Sequence, residues 1–519
     1  MSKLVKGIYV LSGSGGQRRF IKDGAVYIEG DIIRDVGKYK ELSRKYCPEF
    51  ELGSRNHLVM PGLVDAHHHG EGWSVQLGVM DSPLETWLKS LRVYRKESEI
   101  DSYNGALFAC IKRIESGVTC ILDHHYGPDP VDFKEYKDDL EDSIRAYADS
   151  GIRVALAPAI MNQNDWVYLD EEKFISKLPK VIREALEPYH LDPKHDSTRR
   201  KIYFKTLSNL FEKYNGLDER IKFLLGPSGV QWCSDDLLEE VKREAHRVGT
   251  GIHIHLLETK YQMKYGIRKF GKTLVQHLID LGFLGPEVSC AHCVWLTKDD
   301  IDLFAKAKAT AVHNPTSNLR VFSGISPILF MKEKGINVGL GMDDFLGLSN
   351  DDDMFQEMRL CSALHRVPGI DSSGLSSNQI IDMATIEGAK VAGFENEIGA
   401  LQTGLKADMI LVNLKRAFSP FISSTVPITD VIIHRLKGID VDTVIVGGEI
   451  IMKNKRLTRV NKREVFKEVK RKVKEVDKET RKKLGKFNKY ITNFYTKWDE
   501  DAIGYTYNAY DANLCPRTH

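Results

Sequence analysis

The sequence predicts an α/β fold in which a parallel barrel carries a smaller β domain. Short apolar segments alternate with longer helical patterns through the middle of the chain, which is typical of repeated β–α units. The chain has 519 residues, enough for a barrel of roughly 250 residues and a second domain. Short strand patterns broken by Gly and Asp occur near both ends. Together these observations predict a TIM-type (β/α)8 barrel with a small β-sandwich domain formed by the N- and C-terminal segments.

The predicted barrel strands are apolar segments of the middle region. Eight such segments are present, which is the number that a TIM barrel requires. They are residues 58–64, 118–123, 153–158, 222–226, 251–257, 288–294, 310–313 and 337–343. A long polar helical stretch at about 163–220 separates the third segment from the fourth, and it could cover the site or decorate the surface.

The chain divides into three predicted parts. Residues 1–57 and 400–455 form one discontinuous β domain, and residues 58–399 form the barrel. Residues 456–519 form an extension with a strongly basic helix and an aromatic-rich end. The basic helix could bind an acidic partner or could be a solvated helix that packs its Val side chains on the surface. We expect the aromatic end to dock on its own subunit or on a neighbouring one.

Composition limits the partners of the protein. Lys and Arg number 74 and Asp and Glu number 72, so no overall charge favours nucleic acid or a membrane surface. The partner is therefore expected to be a small-molecule substrate. No secretory signal and no run of about 18 apolar residues is evident. The eight cysteines are scattered as in reduced proteins, which predicts a cytoplasmic protein without structural disulfides.

The most informative motif is MPGLVDAHHH at residues 60–69. An apolar run ends there in three histidines, and on a strand residues i and i+2 point to the same side. His67 and His69 can therefore bind one metal ion, while His68 points away.

Three further segments place ionisable side chains at the ends of predicted strands. HIHLLE at 253–258 contributes His255 and Glu258, and VGLGMD at 338–343 contributes Asp343. CAHC at 290–293 could be a zinc or redox pair, but its two cysteines would face opposite sides of a strand, so we favour His292. Barrel enzymes place their chemistry at the C-terminal ends of strands, where all of these residues fall.

These motifs resemble those of the amidohydrolase superfamily, and most closely its branch of aromatic-amine deaminases and triazine chlorohydrolases. The segment 61–69 is similar to the first-strand motif of that family, and HNPTSN at 313–318 is similar to its strand-seven motif. GLKAD at 404–408 resembles its closing signature. The resemblance covers the chain to about residue 455.

The resemblance implies a hydrolase with one divalent metal ion, zinc in preference to iron. Asp343 would also orient a metal-activated water and take its proton, and Glu258 would shuttle a proton to the departing amine. His292 would steady the attacked group. The implied metal ligands are His67, His69, His255 and Asp343.

The implied reaction is the deamination of a nitrogen heterocycle such as a purine, pyrimidine, pterin or triazine, with release of ammonia. A hydrolase of cyclic amide, imidazolone or C–halogen bonds is an alternative on the same scaffold, and a non-catalytic binding barrel is a more distant one. The family resemblance also implies a homo-oligomer, a dimer or larger. The predicted substrate contacts lie mainly in the loops where this chain departs from the family, and they are Glu71, Trp73, Gln76, His125, Asn318 and Asp344.

Overall fold

The computed structural model describes residues 1–70, 74–344, 352–367, 369–370, 374–500, 505–506 and 517–518. The strands of these residues, in chain order, are β1 (Ser2–Ser12), β2 (Arg19–Glu29), β3 (Ile32–Lys38), β4 (Phe50–Pro61), β5 (Leu63–His68), β6 (Val118–Asp123), β7 (Arg153–Leu156), β8 (Ala159–Ile160), β9 (Ile221–Phe223), β10 (Gly226–Pro227), β11 (Ile252–Leu256), β12 (Val288–His292), β13 (Thr310–His313), β14 (Val338–Leu340), β15 (Met409–Asn413), β16 (Val441–Val446), β17 (Glu449–Lys453), β18 (Arg456–Leu457), β19 (Tyr505–Thr506) and β20 (Arg517–Thr518).

The helices of the same residues alternate with the strands through the middle of the chain. They are α1 (Tyr39–Lys45), α2 (Ser74–Leu77), α3 (Leu84–Ser98), α4 (Ser102–Glu115), α5 (Phe133–Ser150), α6 (Glu171–Ser176), α7 (Lys180–Leu186), α8 (Asp196–Tyr214), α9 (Asp235–Val248), α10 (Lys260–Phe270), α11 (Leu274–Asp280), α12 (Lys298–Ala307), α13 (Pro315–Arg320), α14 (Ile328–Glu333), α15 (Met354–Leu364), α16 (Ser377–Met383), α17 (Ile386–Val391), α18 (Ile428–Arg435), α19 (Lys462–Lys472) and α20 (Lys478–Asp499). None of the helices in the described ranges combines the length and the apolar character that a membrane span requires.

Local sequence explains where the connecting helices begin and end. Ser234 caps the N-terminus of α9, where its hydroxyl accepts a hydrogen bond from a backbone N–H of the first turn, and Gly249 caps the C-terminus in the left-handed conformation. Asp132 and Gly151 cap the two ends of α5 in the same way. These caps satisfy terminal backbone groups, so each helix ends cleanly before the next strand.

Two parallel four-stranded sheets form the centre of the protein. Their strand orders are β5-β6-β7-β9 and β11-β12-β13-β14. Isolated parallel bridges connect Leu225 with Ile252 and His68 with Asp343, so each edge of one sheet meets an edge of the other. The parallel sheets with intervening helices confirm the predicted α/β class.

The two ends of the chain meet in one eight-stranded sheet, with the order β18-β17-β16-β15-β4-β1-β2-β3. Strand β15 pairs antiparallel with β4, so that Met409 lies opposite Pro61. The pairing of N- and C-terminal segments in one sheet agrees with the expectation from the sequence.

The predicted boundaries of the first barrel strand, 58–64, were wrong. Residues 58–61 belong to β4 in the terminal sheet, and the barrel strand begins at Leu63. Gly62 lies between them, where its N–H donates to the carbonyl oxygen of Asp408. Both strands are buried on both faces at this point, so the sequence shows one uninterrupted apolar run across two sheets.

The stretch 163–220 folds into helices α6, α7 and α8 and packs against the barrel. Tyr203 of α8 is fully buried, and its hydroxyl donates to the carbonyl oxygen of Pro158 at 2.9 Å. Arg199 of the same helix makes an ion pair with Asp129. These contacts attach the stretch to the loops that follow the second and third barrel strands.

The extension after residue 456 docks on the same region. Helix α20 buries Phe487, Tyr495 and Trp498. The backbone N–H of Tyr168 donates to the Tyr495 hydroxyl at 3.0 Å, and Lys264 of α10 donates to the carbonyl oxygen of Trp498. The aromatic residues at 500 and beyond lie outside the described side chains.

Replacement of Gly62 by Ala should destabilise the protein by about 1–3 kcal/mol through overpacking. A Cβ at this position would lie 2.0 Å from Thr119 Oγ1 and 2.7 Å from Thr119 Cβ, so rotation of the threonine cannot relieve the contact. The measurement is the apparent free energy of unfolding in denaturant.

Gly485→Ala is the matched control for this substitution. Gly485 lies inside α20, and a Cβ there would meet no described atom within 4 Å. The control should stabilise the helix by about 0.5–1 kcal/mol. Equal effects of both substitutions would contradict the steric explanation at Gly62.

Candidate active site

The carboxyl ends of β5, β11 and β14 bring the four predicted metal ligands together. His67 Nε2 lies 3.5 Å from Asp343 Oδ1, and His69 Nε2 lies 3.1 Å from the same oxygen. The His255 ring lies 4.9 Å from the His67 ring and 5.4 Å from the His69 ring, measured between centroids. These side chains are buried or nearly so. His67, His69 and Asp343 form one group of potential metal ligands, and His67 also belongs to a second group with His255, so the four residues make one continuous cluster of nitrogen and oxygen donors.

The hydrogen bonds of the outer ring nitrogens test whether this cluster fits a metal ion. His69 Nδ1 lies 2.7 Å from the carbonyl oxygen of His124, and His255 Nδ1 lies 2.6 Å from that of Ser228. A carbonyl only accepts, so Nδ1 carries a proton in both rings and Nε2 is the nitrogen that a metal ion would bind. His67 Nε2 is buried and has no hydrogen-bond partner among the described residues. The donor set therefore fits a divalent metal ion.

His67 is oriented by a chain of hydrogen bonds rather than by a carbonyl. Its Nδ1 lies 2.7 Å from His253 Nε2, and His253 Nδ1 lies 2.7 Å from Ser289 Oγ. Ser289 Oγ donates to the carbonyl oxygen of Ile252 at 3.2 Å. Because the Ser289 hydroxyl uses its proton in the bond to that carbonyl, it can only accept from His253 Nδ1. His253 Nε2 therefore has no proton and accepts from His67. The chain thus leaves the His67 Nε2 lone pair free of a proton.

The protonation states of the cluster suit a cation. Burial, reinforced by the neighbouring imidazoles, holds the pKa of His67 and of His255 well below the usual value. Burial alone would raise the pKa of Asp343, but its hydrogen bond with His69 outweighs this effect and lowers the pKa below the usual range. His67 and His255 are thus held in the neutral form that binds a divalent ion. Burial lowers the pKa of His69, but the hydrogen bond with Asp343 outweighs burial and raises it, so a metal ion would displace the proton between these two side chains.

Glu258 and His292 lie beside the cluster. His292 Nε2 is 3.8 Å from both Glu258 Oε2 and Asp343 Oδ2. His292 Nδ1 lies 2.9 Å from Asn318 Oδ1, an acceptor, and 3.3 Å from Asn314 Nδ2, a donor, and the shorter contact places the proton on Nδ1. Burial, and then the charges of Asp343 and Glu85, raises the pKa of Glu258 well above its usual value, which favours the protonated form of this carboxyl group.

The predicted substrate contacts are distributed unevenly. Asn318 touches the site through His292. Asp344 is buried beside Arg95, at 3.8 Å, and Gln76 is exposed on α2. Glu71 and Trp73 lie outside the described residues.

His125 was predicted to line the pocket, but the structure places it between two carboxylates. Its Nε2 lies 2.8 Å from Asp139 Oδ2, and its Nδ1 lies 3.4 Å from Asp123 Oδ2. Asp123 in turn accepts from the backbone N–H of Gly70 at 2.6 Å. His125 therefore supports the loop that follows His69.

His124, the neighbour of His125, faces the cluster of predicted ligands. Its ring stacks on that of His255 at 4.8 Å between centroids, and it belongs to a group of potential ligands with His67 and His255. Adjacent residues at a strand end point in opposite directions, so the choice between His124 and His125 depends on where β6 ends. His253 was missed as well, although its i, i+2 spacing to His255 repeats that of His67 and His69.

The chain belongs to the amidohydrolase family, because the sequence model of that family matches residues 58–451. It is 32% identical over 469 residues to a 5'-deoxyadenosine deaminase of Methanosarcina acetivorans, covering 90% of this chain and 96% of that protein. It is also 32% identical to a 5-methylthioadenosine/S-adenosylhomocysteine deaminase of Caldanaerobacter subterraneus subsp. tengcongensis, covering 90% and 97%. The predicted resemblance is confirmed.

Solved structures share the fold. An adenosine deaminase of Xanthomonas campestris with bound zinc superposes with a TM-score of 0.73 at 21% identity, covering 91% of this chain and 97% of that one. The guanine deaminase of E. coli gives a TM-score of 0.69 at 19% identity, covering 87% and 99%. The family and these structures imply a TIM-barrel type α/β fold.

Replacement of His253 by Ala should weaken zinc binding by about 10–100-fold, because the His67 Nδ1 proton loses its acceptor and the ring loses its orientation. The measurement is the zinc dissociation constant from competition with a chromogenic chelator. His253→Gln, which keeps an acceptor oxygen, should recover part of the affinity. His195→Ala, at a half-exposed position, is the matched control. Wild-type affinity in His253→Ala would contradict the assigned chain of hydrogen bonds.

Proposed function

We propose that the protein is a metal-dependent aminohydrolase that releases ammonia from an adenine nucleoside or a closely related purine. The observation that carries the proposal is the placement of Glu258 and His292 beside the cluster of proposed ligands, with His292 Nε2 3.8 Å from oxygens of both Glu258 and Asp343. Burial raises the pKa of Glu258, which suits a proton donor. The near full-length similarity to deaminases of 5'-deoxyadenosine and 5-methylthioadenosine supports the same class of substrate.

The proposed metal ligands are His67, His69, His255 and Asp343, and we propose that they hold one zinc ion. Three imidazoles and a carboxylate suit zinc and ferrous iron, and the bound zinc of the Xanthomonas campestris structure favours zinc. When bound, such an ion lowers the pKa of a coordinated water from 15.7 to about 7, which supplies a nucleophile at neutral pH.

The remaining steps belong to the protein's own side chains. Asp343, ionised in the cluster, takes the proton of the attacking water. Glu258 gives its proton to the ring nitrogen next to the attacked carbon, takes the hydroxyl proton of the resulting adduct and passes that proton to the departing amine. The proton held by Asp343 then restores Glu258. His292 Nε2, unprotonated because Nδ1 bonds Asn318, faces the oxygens of Glu258 and Asp343 and accepts a hydrogen bond from the protonated forms of these carboxyl groups. The sum is addition of water at carbon and loss of ammonia.

We propose that the two parallel sheets close into a barrel of residues 58–399. The bridges Leu225–Ile252 and His68–Asp343 lie at both open edges and support closure. Side chains of both sheets also share one buried apolar cluster, as expected for a filled barrel interior.

We propose that residues 1–57 and 400–455 form a small sandwich. The terminal sheet curves back on itself, because a Cβ on Gly448, in the β16–β17 turn, would lie 2.1 Å from the carbonyl oxygen of Gly30, in the β2–β3 turn. Ile33 and Ile445, from opposite halves of the sheet, belong to one apolar cluster. Residues 456–519 would then form an extension that packs against the outside of the barrel.

A cytoplasmic homo-oligomer acting on a small molecule completes the proposal. The scattered cysteines support a cytoplasmic location, and the near-neutral charge supports a small-molecule substrate. Sedimentation of the purified protein tests the oligomeric state.

Glu258→Gln should lower kcat for ammonia release by about 10²–10⁴-fold, because the amide cannot carry the proton to the leaving amine. Metal content should stay at the wild-type value, since Glu258 is not a proposed ligand. Glu239→Gln, on the exposed side of α9, is the matched control. Full activity of Glu258→Gln would contradict its role as proton shuttle.

A substrate panel tests the reaction itself. The zinc-loaded enzyme should release ammonia from 5'-deoxyadenosine, 5'-methylthioadenosine or S-adenosylhomocysteine faster than from guanine, cytosine or an aminotriazine, as measured in a coupled ammonia assay. A metal-loaded enzyme that is silent on all amino heterocycles and hydrolyses cyclic amides or chlorotriazines would overturn the proposed function.

A further inference from the structure

A second group of potential metal ligands lies outside the catalytic cluster. His313 ends strand β13, Cys361 lies in the last turn of α15, and His365 directly follows that helix. All three side chains are completely buried. One donor atom of each lies within 4.8 Å of the others.

The group occupies the outer side of the barrel strand. Val312, the preceding residue, belongs to the apolar cluster shared by both parallel sheets. Adjacent residues of a strand point to opposite faces, so His313 points away from that cluster and toward α15. The residues of this group therefore link the back of β13 to the helix that packs on it.

The distances are close to those that a zinc ion needs. His313 Nε2 lies 3.0 Å from His365 Nε2, compared with 3.1 and 3.5 Å between the donors of the catalytic cluster. A tetrahedral ion with Zn–N bonds of about 2.0 Å and a Zn–S bond of about 2.3 Å sets N···N near about 3.3 Å and N···S near about 3.6 Å. The two ring nitrogens are thus about 0.3 Å from the required separation, and the thiol sulfur lies within 4.8 Å of both.

The donor chemistry selects the ion. Burial, and then the neighbouring His365, holds the pKa of His313 well below its usual value, so the ring is neutral and can donate a lone pair. Burial raises the pKa of the Cys361 thiol, so a thiolate at this position needs a cation beside it. Two imidazoles and a thiolate suit zinc and similar divalent ions, and they do not suit magnesium or calcium.

We propose that His313, Cys361 and His365 bind a second zinc-class ion that fastens the C-terminal end of α15 to β13. The ion has a structural role, because α15 also supports the catalytic cluster. Glu357, one turn before Cys361, accepts hydrogen bonds from the backbone N–H and the hydroxyl of Thr316. The next residue, Ser317, donates its hydroxyl proton to Asp343.

Cobalt substitution distinguishes this site from the catalytic one. The proposed catalytic ligands include no sulfur, so a thiolate-to-cobalt charge-transfer band in the near ultraviolet can come only from a cysteine ligand. The full-length protein, stripped of metal and titrated with Co²⁺, should bind two equivalents per chain and develop this band. Zinc-loaded protein should contain two ions per chain by elemental analysis.

Variants assign the band. Cys361→Ser should lose it and one equivalent of metal, while keeping the visible cobalt absorption of the catalytic ion, which also reports that the barrel is folded. His67→Ala should keep the band, and Cys47→Ser, at the exposed cysteine, should keep both ions. If Cys361→Ser does not fold, His365→Asn serves in its place, with the same loss expected. One equivalent of metal in the wild type, or a band that survives these substitutions, overturns the proposal in favour of a hydrogen-bonded histidine pair beside a thiol.

Discussion

The catalytic cluster depends on the fixed protons of its buried imidazoles. A ring whose outer nitrogen lacked an acceptor would bury an unsatisfied N–H, at a cost of about 1–3 kcal/mol, or could turn its proton toward the metal. The carbonyl oxygens of His124 and Ser228 remove this freedom for His69 and His255, and His253 removes it for His67. The acceptors come from the residues directly after β6 and β10 and from β11 itself, so the site forms only when these strands are aligned.

A buried ion pair holds this alignment at one side. Asp65 accepts from Arg113 Nε at 2.7 Å and from the backbone N–H of Met342 at 2.8 Å, and both charged side chains are fully buried. Met342 immediately precedes Asp343. Asp65, the aspartate of the first motif, therefore has a structural role. It joins β5 to the segment that carries the proposed ligand Asp343.

The sequence predicted which side chains the structure brings together at the strand ends, and the physical reason is periodicity. His67 and His69 are separated by two residues on a strand, and every other predicted ligand follows an apolar run, so direction and location could both be inferred. His124 and His125 show the limit of this inference. An error of one residue in the predicted end of β6 changes which of the two side chains faces the site. Residues 58–61 show another limit, since burial on both faces looks the same in a terminal sheet and in a barrel.

Contacts between distant parts of the chain could not be inferred from periodicity. The contact between Tyr495 and the backbone of Tyr168, for example, joins residues more than three hundred positions apart, and nothing in either local sequence indicates the other.

Because Tyr495 lies near the end of the chain, its contact with Tyr168 can form only late in synthesis. The Tyr168 hydroxyl lies 3.4 Å from Glu85 Oε1, and Glu85 accepts from Thr259, the residue after Glu258. Helix α20 packs on both Tyr168 and α10, yet it leaves the ribosome after every barrel strand has been synthesised. During synthesis, the barrel can therefore assemble its metal ligands while the wall near Glu258 still lacks its outer support. The proton-transfer side of the site reaches its final packing only when residues up to Trp498 have emerged.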